Sequence, residues 1–260
     1  MHPKKSLGQN FLNDTNILNK IVETANITAK DIVLEIGPGT GNLTKELIKK
    51  KPSKIIVVEK DKKLSELLTK KFGENIKIIN DDILNCYNKL SFGVPIKVFG
   101  NLPYYISTKI LTSYLKIGSI NKTFKSFHFV FQKEVADRIV AKKNTSNYGR
   151  LSILSSWRMD CNKKFDISPK SFFPVPKVWS SLVVLTPKIN YSHISKLKNL
   201  EHITNIFFNQ RRKMIKQPLK QIFKNYLEAS EKLELNMNLR PQNLSVNDYL
   251  KICKLYEELT

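Results

Sequence analysis

Asn101, Leu102, Pro103 and Tyr104 stand consecutively in this sequence, and together they suit one reaction. The lone pair of a purine's exocyclic amine is delocalised into the ring, which makes that nitrogen a poor nucleophile. An Asn side-chain oxygen and a carbonyl held by Pro103 can accept both amine protons. Accepting them draws the nitrogen toward tetrahedral geometry and frees its lone pair. Tyr104 supplies a ring on which a base can stack once it leaves its helix or loop. No strong base is needed if the leaving group is neutral, because the proton can depart afterwards. A proline turn explains any one of these residues but not the set, placed after the fourth strand of an alternating pattern.

The second constellation is Glu35-Ile36-Gly37-Pro38-Gly39-Thr40-Gly41, with Glu59 following twenty-two residues after Gly37. Glycines let the backbone turn with positive φ and approach a ligand closely. Glu59 ends the next strand, where a carboxylate can accept both ribose hydroxyls of a nucleoside. A dinucleotide site asks for G-x-G-x-x-G over a pyrophosphate. Here the spacing is G-x-G-x-G, Asn42 stands at the last glycine's place, and Glu35 precedes the loop. A carboxylate there suits a cationic, phosphate-free ligand, and S-adenosylmethionine is such a ligand. Asp81 and Asp82 follow the third strand. One of them can accept a hydrogen bond from an adenine amino group, and one can cap the next helix.

The elements that must carry these residues alternate. Ile32–Ile36, 54–59, Lys77–Ile79, 96–100 and 127–131 read as buried strands, with amphipathic helices at 42–50 and 64–72 between them. That alternation predicts a parallel sheet covered by helices on both faces. Residues 151–157 and 181–185 read as two further strands giving the sheet an antiparallel end. Thr186-Pro187-Lys188 reads as a boundary, and 192–260 shows helical patterns only, including 203–223 and Val246–Leu259. The expected organisation is a catalytic domain over 1–187 and a helical RNA-binding domain over 188–260.

The chain carries 44 Lys+Arg against 22 Asp+Glu, a formal charge of +22, which points to a polyanion. Only six basic residues are Arg, and Asn and Ile are abundant, so part of the excess follows an A/T-rich coding composition. Arg211, Arg212 and Lys213 are adjacent, with Lys216, Lys220 and Lys224 after them. On one continuous helix, 213, 216, 220 and 224 would form a basic stripe along an RNA backbone. Cys86, Cys161 and Cys253 show neither disulfide nor zinc spacing, and His2, His128, His193 and His202 form no ligand cluster, so a reducing cytoplasm and no metal are expected. No apolar run reaches the roughly 20 residues of a membrane span, and residues 1–11 lack the apolar stretch of a signal peptide.

From end to end the sequence resembles the KsgA/RsmA family, the small-subunit ribosomal RNA adenine N(6),N(6)-dimethyltransferases. The resemblance rests on Leu7-Gly8-Gln9-Asn10-Phe11-Leu12, Glu35 through Gly41, Asn101 through Tyr104, Gln132-Lys133-Glu134-Val135, Tyr148-Gly149-Arg150-Leu151-Ser152, Phe172-Phe173-Pro174-Val175-Pro176-Lys177-Val178 and Phe208-Asn209-Gln210-Arg211-Arg212-Lys213. It implies a Rossmann-like class I methyltransferase sheet with a small C-terminal helical domain. It implies cofactor contacts at Asn10, Leu12, Gly37, Glu59, Asp82 and Asn101, with Glu35 and Gly39 in the same loop. The implied base pocket is Asn101, Leu102, Pro103 and Tyr104, with Phe172 on the other face. The implied substrate is 16S rRNA in an immature small ribosomal subunit, dimethylated at two adjacent adenosines by a monomeric enzyme. Tyr105 and Trp179 are bulkier than the family pattern. Three alternatives remain: a large-subunit adenine methyltransferase of the macrolide-resistance type, a non-catalytic ribosome-assembly factor, and a nucleotide-dependent oxidoreductase, which the loop spacing disfavours.

Overall fold

The computed structural model describes residues 8–90 and 92–260; His2 and Leu7, named above, lie outside the described residues. In chain order the elements are β1 (Phe11–Leu12), α1 (Thr15–Glu23), β2 (Ile32–Ile36), α2 (Asn42–Lys49), β3 (Lys54–Val58), α3 (Lys62–Phe72), β4 (Lys77–Ile79), α4 (Ile83–Cys86), β5 (Ile96–Asn101), α5 (Tyr104–Leu115), α6 (Ile120–Thr123), β6 (Phe124–Gln132), α7 (Lys133–Val140), α8 (Arg150–Arg158), β7 (Met159–Ile167), β8 (Phe172–Phe173), β9 (Ser180–Pro187), α9 (Leu197–Asn209), α10 (Lys216–Ile222), α11 (Tyr226–Lys232) and α12 (Val246–Leu259).

Seven strands form one sheet in the order β4-β3-β2-β5-β6-β9-β7. β4, β3, β2, β5 and β6 pair in parallel, and β9 returns antiparallel to β6. The apolar runs of β2, β3 and β5 are unbroken because helices cover both faces of a parallel sheet; Val33, Leu34, Ile56, Val57, Val98 and Phe99 are fully buried. Strand order reverses between β2 and its neighbours β3 and β5. At such a switch point the carboxyl ends of the strands open a crevice. This is the parallel sheet with an antiparallel end that the alternation predicts, and it has the form of the sheet that the resemblance implies.

Two local devices fix β5 and α5, which carry the Asn101–Tyr104 stretch. At the start of β5, Lys97 Nζ bonds Asp31 Oδ2 at 2.8 Å and the Asn26 carbonyl at 2.9 Å, a buried ion pair within the sheet. Burial alone would raise the Asp31 carboxyl. Hydrogen bonds from Lys97 and Thr28, with the Lys97 charge, outweigh it and hold the group well below the usual carboxylate range. On α5, Tyr114 packs edge-on against Phe124 and Phe127 at 5.1 and 5.0 Å between ring centres. Phe127, Phe129 and Phe131 alternate along β6, so they share the face that receives it.

Contacts divide the chain into two compact units. One runs through Ala136 and resumes at Asp160–Pro187; the other joins Asp137–Met159 to Lys188–Thr260. The second unit therefore draws Asp137–Met159 out of the span 1–187 assigned above to the catalytic domain.

Three sequence expectations need correction. Residues 151–157, read as a strand, lie in helix α8, and strand β7 follows where no strand was expected. The run misleads because α8 is buried nearly all round: Ser152, Ile153, Leu154, Ser155, Trp157 and Arg158 are all inside, so no polar face marks a helical period. Residues 203–223 are not one helix. α9 ends at Asn209 and α10 starts at Lys216. Pro218 lies in the first turn of α10, where a missing N–H costs nothing, and it would break a continuous helix. The basic stripe therefore dissolves: Lys213 and Lys224 lie outside α10, and only Lys216 and Lys220 remain on it. The third correction concerns Phe172 and belongs to the site.

Candidate active site

A cleft of about 1030 Å³, counting its open mouth, lies at the carboxyl edge of β2, β3 and β5. Its walls contain Asn10, Leu12, Glu35, Gly37, Gly39, Glu59, Asp82 and Asn101, and also Leu102, Pro103 and Tyr104. The fold thus gathers every residue expected to hold the cofactor and four of the five expected at the base.

The glycine loop is shaped by two different needs. Gly37 has φ +63°, and a Cβ there would meet nothing within 4 Å; the backbone conformation alone asks for glycine. Gly39 has φ +59°, and its Cβ would fall 2.7 Å from the Phe11 ring. Phe11 therefore lies directly on the loop. It is held there by β1, which pairs antiparallel with β8, Phe11 opposite Phe173 and Leu12 opposite Phe172. The Asn42 side-chain amide donates to the Leu12 carbonyl at 3.0 Å and to Asn13 Oδ1 at 2.7 Å. So the residue that broke the dinucleotide pattern ties the N-terminal segment across the cleft.

Four acidic side chains, Glu35, Glu59, Asp81 and Asp82, line this crevice. Glu59, 6% exposed, accepts from the Gly39 N–H at 3.1 Å through Oε2 and from the Asp61 N–H at 2.8 Å through Oε1. Burial raises its pKa against those two hydrogen bonds. Glu35, 1% exposed, accepts from the Thr44 hydroxyl at 2.6 Å. Burial pushes its carboxyl up to about 8, the Thr44 bond opposes this, and the Glu59 charge adds to it. Asp82 caps α4 through the Leu84 N–H at 2.9 Å and pairs with Lys60 at 3.0 Å. Burial would raise it, but the Leu84 N–H and Lys60 prevail and lower it. Of the two aspartates, Asp82 is the helix cap, and both it and Asp81 line the cleft. Carboxyl groups in the walls, able to ionise against a cation, suit a sulfonium and an ammonium group better than a phosphate, so the site fits S-adenosylmethionine.

At the end of β5 the Asn101 amide nitrogen donates to the Asn10 carbonyl at 2.7 Å. That bond fixes which end of the amide is which and leaves Oδ1 as an acceptor. The Tyr104 hydroxyl is bonded to Ser180 Oγ at 2.6 Å, and burial raises its pKa, so it stays protonated. Pro103's carbonyl accepts from Ile106 N–H at 3.1 Å within the first turn of α5, and Leu102 beside it lines the cleft.

Phe172, expected on the far side of the base, is 3% exposed and packs in the core with Leu12, Leu18 and Val130. It does not line the cleft. On a two-residue strand only one of Phe172 and Phe173 can face inward, and pairing with β1 turns Phe172 in and leaves Phe173 56% exposed. Arg211 is half-buried: its guanidinium donates to Gln242 Oε1 at 3.1 Å and to the carbonyls of Thr145 and Ser146, all within its own unit. Arg212 and Lys213 are exposed. Sequence reasoning missed Phe11, Asn42 and Ser180 as parts of the site. Asn42 carried a signal in its place at the start of α2, and Phe11 in the stretch Leu7 through Leu12 that carries the resemblance; Ser180 carried none without the fold.

Residues 1–258 match the family model described as Ribosomal RNA adenine dimethylase. The chain belongs to that family. It is 56% identical to Ribosomal RNA small subunit methyltransferase A of Pelagibacter ubique (strain HTCC1062), over 98% of this chain and 97% of the relative. It is 41% identical to the protein of the same name from Ehrlichia ruminantium (strain Gardel), over 97% and 96%. Among solved structures, a dimethyladenosine transferase from Plasmodium falciparum superposes with a TM-score of 0.80 at 28% identity, covering 95% of this chain and 98% of that one. The 23S rRNA methyltransferase ErmE superposes at 0.69, with 24% identity over 96% and 99%, and so shares the fold. The family uses S-adenosylmethionine, the cofactor whose charges the cleft suits.

A pH dependence follows from Glu35. Below about pH 8 its buried carboxyl is held neutral, and a bound cation favours the charged form. Cofactor binding therefore releases a proton, and affinity rises with pH toward 8 by at most about tenfold per unit before levelling off. The folding sign is opposite. A carboxyl raised in the folded state contributes stability fully present below its unfolded pKa near 4.5 and lost as pH rises through 8. Calorimetric titrations of wild type and Glu35→Gln at about pH 6.5 and about pH 8.5 test this, since the ligand's own titration is common to both. The glutamine variant should lack the extra rise; parallel profiles would refute the role.

Proposed function

We propose that this chain transfers methyl groups from S-adenosylmethionine to the exocyclic amines of two adjacent adenosines near the 3′ end of small-subunit (16S) rRNA. The product is dimethyladenosine at both, made on an immature small ribosomal subunit. The observation that carries this reading is Asn101: its nitrogen is tied to Asn10, its oxygen has no hydrogen-bond donor among the described residues, and it stands beside Tyr104 in a carboxylate-lined cleft. The small-subunit assignment is supported by relatives named small subunit methyltransferase A.

When bound, the cofactor supplies an activated methyl on a sulfonium. Asn101 Oδ1 and the Leu102 carbonyl accept the two amine protons and raise the nucleophilicity of the nitrogen. Tyr104, its hydroxyl fixed by Ser180, presents its ring to the base. Phe11 covers the glycine loop at Gly39 and keeps water from the reacting atoms. The excess proton leaves to solvent after transfer. For a second transfer the base keeps one amine proton on an acceptor while the first methyl takes the other direction.

Within this reading the unit that holds the cleft is catalytic, and residues 188–260 contribute to holding rRNA. Arg212 and Lys213, exposed beyond α9, contact phosphate, while Arg211 chiefly braces the loop at 145–146. The enzyme acts as a monomer in the cytoplasm. No helix among the described residues is long and apolar enough to cross a membrane.

The test is to incubate the protein with labelled S-adenosylmethionine and unmethylated small subunits, then to map and weigh the modified fragment. Two neighbouring dimethyladenosines are expected. A product that stops at monomethyladenosine, or label in large-subunit rRNA alone, would refute the assignment.

A further inference from the structure

The link between Tyr104 and Ser180 has a large aromatic residue next to each of its ends. Tyr105 follows Tyr104 on α5, lines the cleft and is 61% exposed. Trp179 precedes Ser180 and is 51% exposed, whereas Ser180 is fully buried. Neighbouring Cα atoms are 3.8 Å apart, so each of the two aromatics leaves the chain one position from a partner in the Tyr104–Ser180 bond. Side chains alternate along an extended chain, so with Ser180 turned toward Tyr104, Trp179 is turned away from it, to solvent. Its position is fixed: the Lys133 N–H donates to the Trp179 carbonyl at 2.8 Å. Residues 168–179 also expose Phe173, Lys170 and Lys177 and contain no carboxylate. An indole left half in water on a well-tied backbone contributes little to the core, whereas exposed aromatics among lysines are what single-stranded nucleic acid stacks upon.

We propose that Trp179 and Tyr105 form a stacking rim that holds the unpaired nucleotides flanking the target adenosine. The proposal rests on the function above and names residues that set how the RNA strand is presented to it. Base faces give the stacking, and Lys170 and Lys177 meet the adjoining phosphates.

Trp179→Ala, Trp179→Phe and Trp179→Leu separate stacking from folding. With unmethylated small subunits, Trp179→Ala should raise KM by roughly five- to 150-fold, the range of one lost base stack, with kcat nearly unchanged. Phe should recover most of the loss; Leu, apolar but without a π face, should not. A direct readout is available because Trp157, the other tryptophan, is 6% exposed. In a Trp157→Phe background, Trp179 emission should be quenched by a single-stranded RNA of about ten nucleotides carrying two adjacent adenosines, and not by the same strand with abasic flanking positions. Cofactor affinity should not change, since Trp179 does not line the cleft. A wild-type KM in Trp179→Ala overturns the proposal. So does a loss of kcat at unchanged KM, which would mean that the substitution acts through Ser180 on Tyr104. A loss confined to assembled subunits, with oligonucleotide binding intact, would assign the rim to a protein contact and also overturn it. Failure of the wild-type protein to methylate small subunits would instead strike the function itself.

Discussion

Replacing Asn101 with Ala lowers methyl transfer by about two to three orders of magnitude, the cost of removing one fixed polar group that stabilises charge developing in a transition state. As the nitrogen attacks, positive charge grows on it, and the bond to Asn101 Oδ1 strengthens in step. That interaction is stronger in the transition state than in the ground state, so its loss falls on kcat. Cofactor affinity falls as well, by a smaller factor. The Asn101 nitrogen holds the Asn10 carbonyl at 2.7 Å, and without it the segment leading to Phe11, which covers Gly39, loses one of its ties. Asn101→Asp separates the two effects. Aspartate keeps an acceptor for the amine but faces the Asn10 carbonyl with another acceptor, so it regains part of the transfer rate while sharing the loss of cofactor affinity. Single-turnover methylation at saturating cofactor, read beside calorimetric titration, gives both quantities. Transfer by the Ala variant at the wild-type rate would remove Asn101 from the chemistry.

Glu59→Ala weakens S-adenosylmethionine binding by about 2–3 kcal/mol, roughly 30- to 150-fold, the scale of charge-assisted hydrogen bonds lost from a buried site. The structure adds a second contribution in the same direction. Each Glu59 oxygen already holds a backbone N–H, Gly39 on one side and Asp61 on the other, so Ala also frees the glycine loop. Glu59→Gln keeps one acceptor and turns an NH₂ toward the other N–H. Its affinity should lie between those of wild type and Ala. The melting temperature without cofactor reports the loop's contribution, and the calorimetric difference beyond it reports the ribose contact. Unchanged affinity in a folded Ala variant would refute the ribose role.

Much of the site was legible because it is written in local spacing. Strand ends, the G-x-G-x-G turn and the Asn101–Tyr104 stretch depend on residues within a few positions of one another, and each landed on the predicted edge of the sheet. The misreadings share a cause in burial. α8 lost its helical signature because it is enclosed on nearly every side. The break between α9 and α10 was written in Pro218, and the periodic lysines around it obscured that mark.

What the sequence determined by itself was the inventory: an alternating sheet, a glycine loop preceded and followed by carboxylates, an amide and an aromatic separated by Leu-Pro, and a positive chain. Tertiary structure alone decided how each polar atom is used. Asn101 and Asn10 are 91 positions apart, and Tyr104 and Ser180 are 76, yet these two bonds choose which amide atom remains an acceptor and hold the Tyr104 side chain. The pairing of β1 with β8 likewise turned Phe172 into the core and Phe173 outward, a choice no local pattern makes, because either face of a two-residue strand is equally apolar. Hydrogen-bond saturation and burial are properties of what surrounds a group, and those surroundings come from distant parts of the chain.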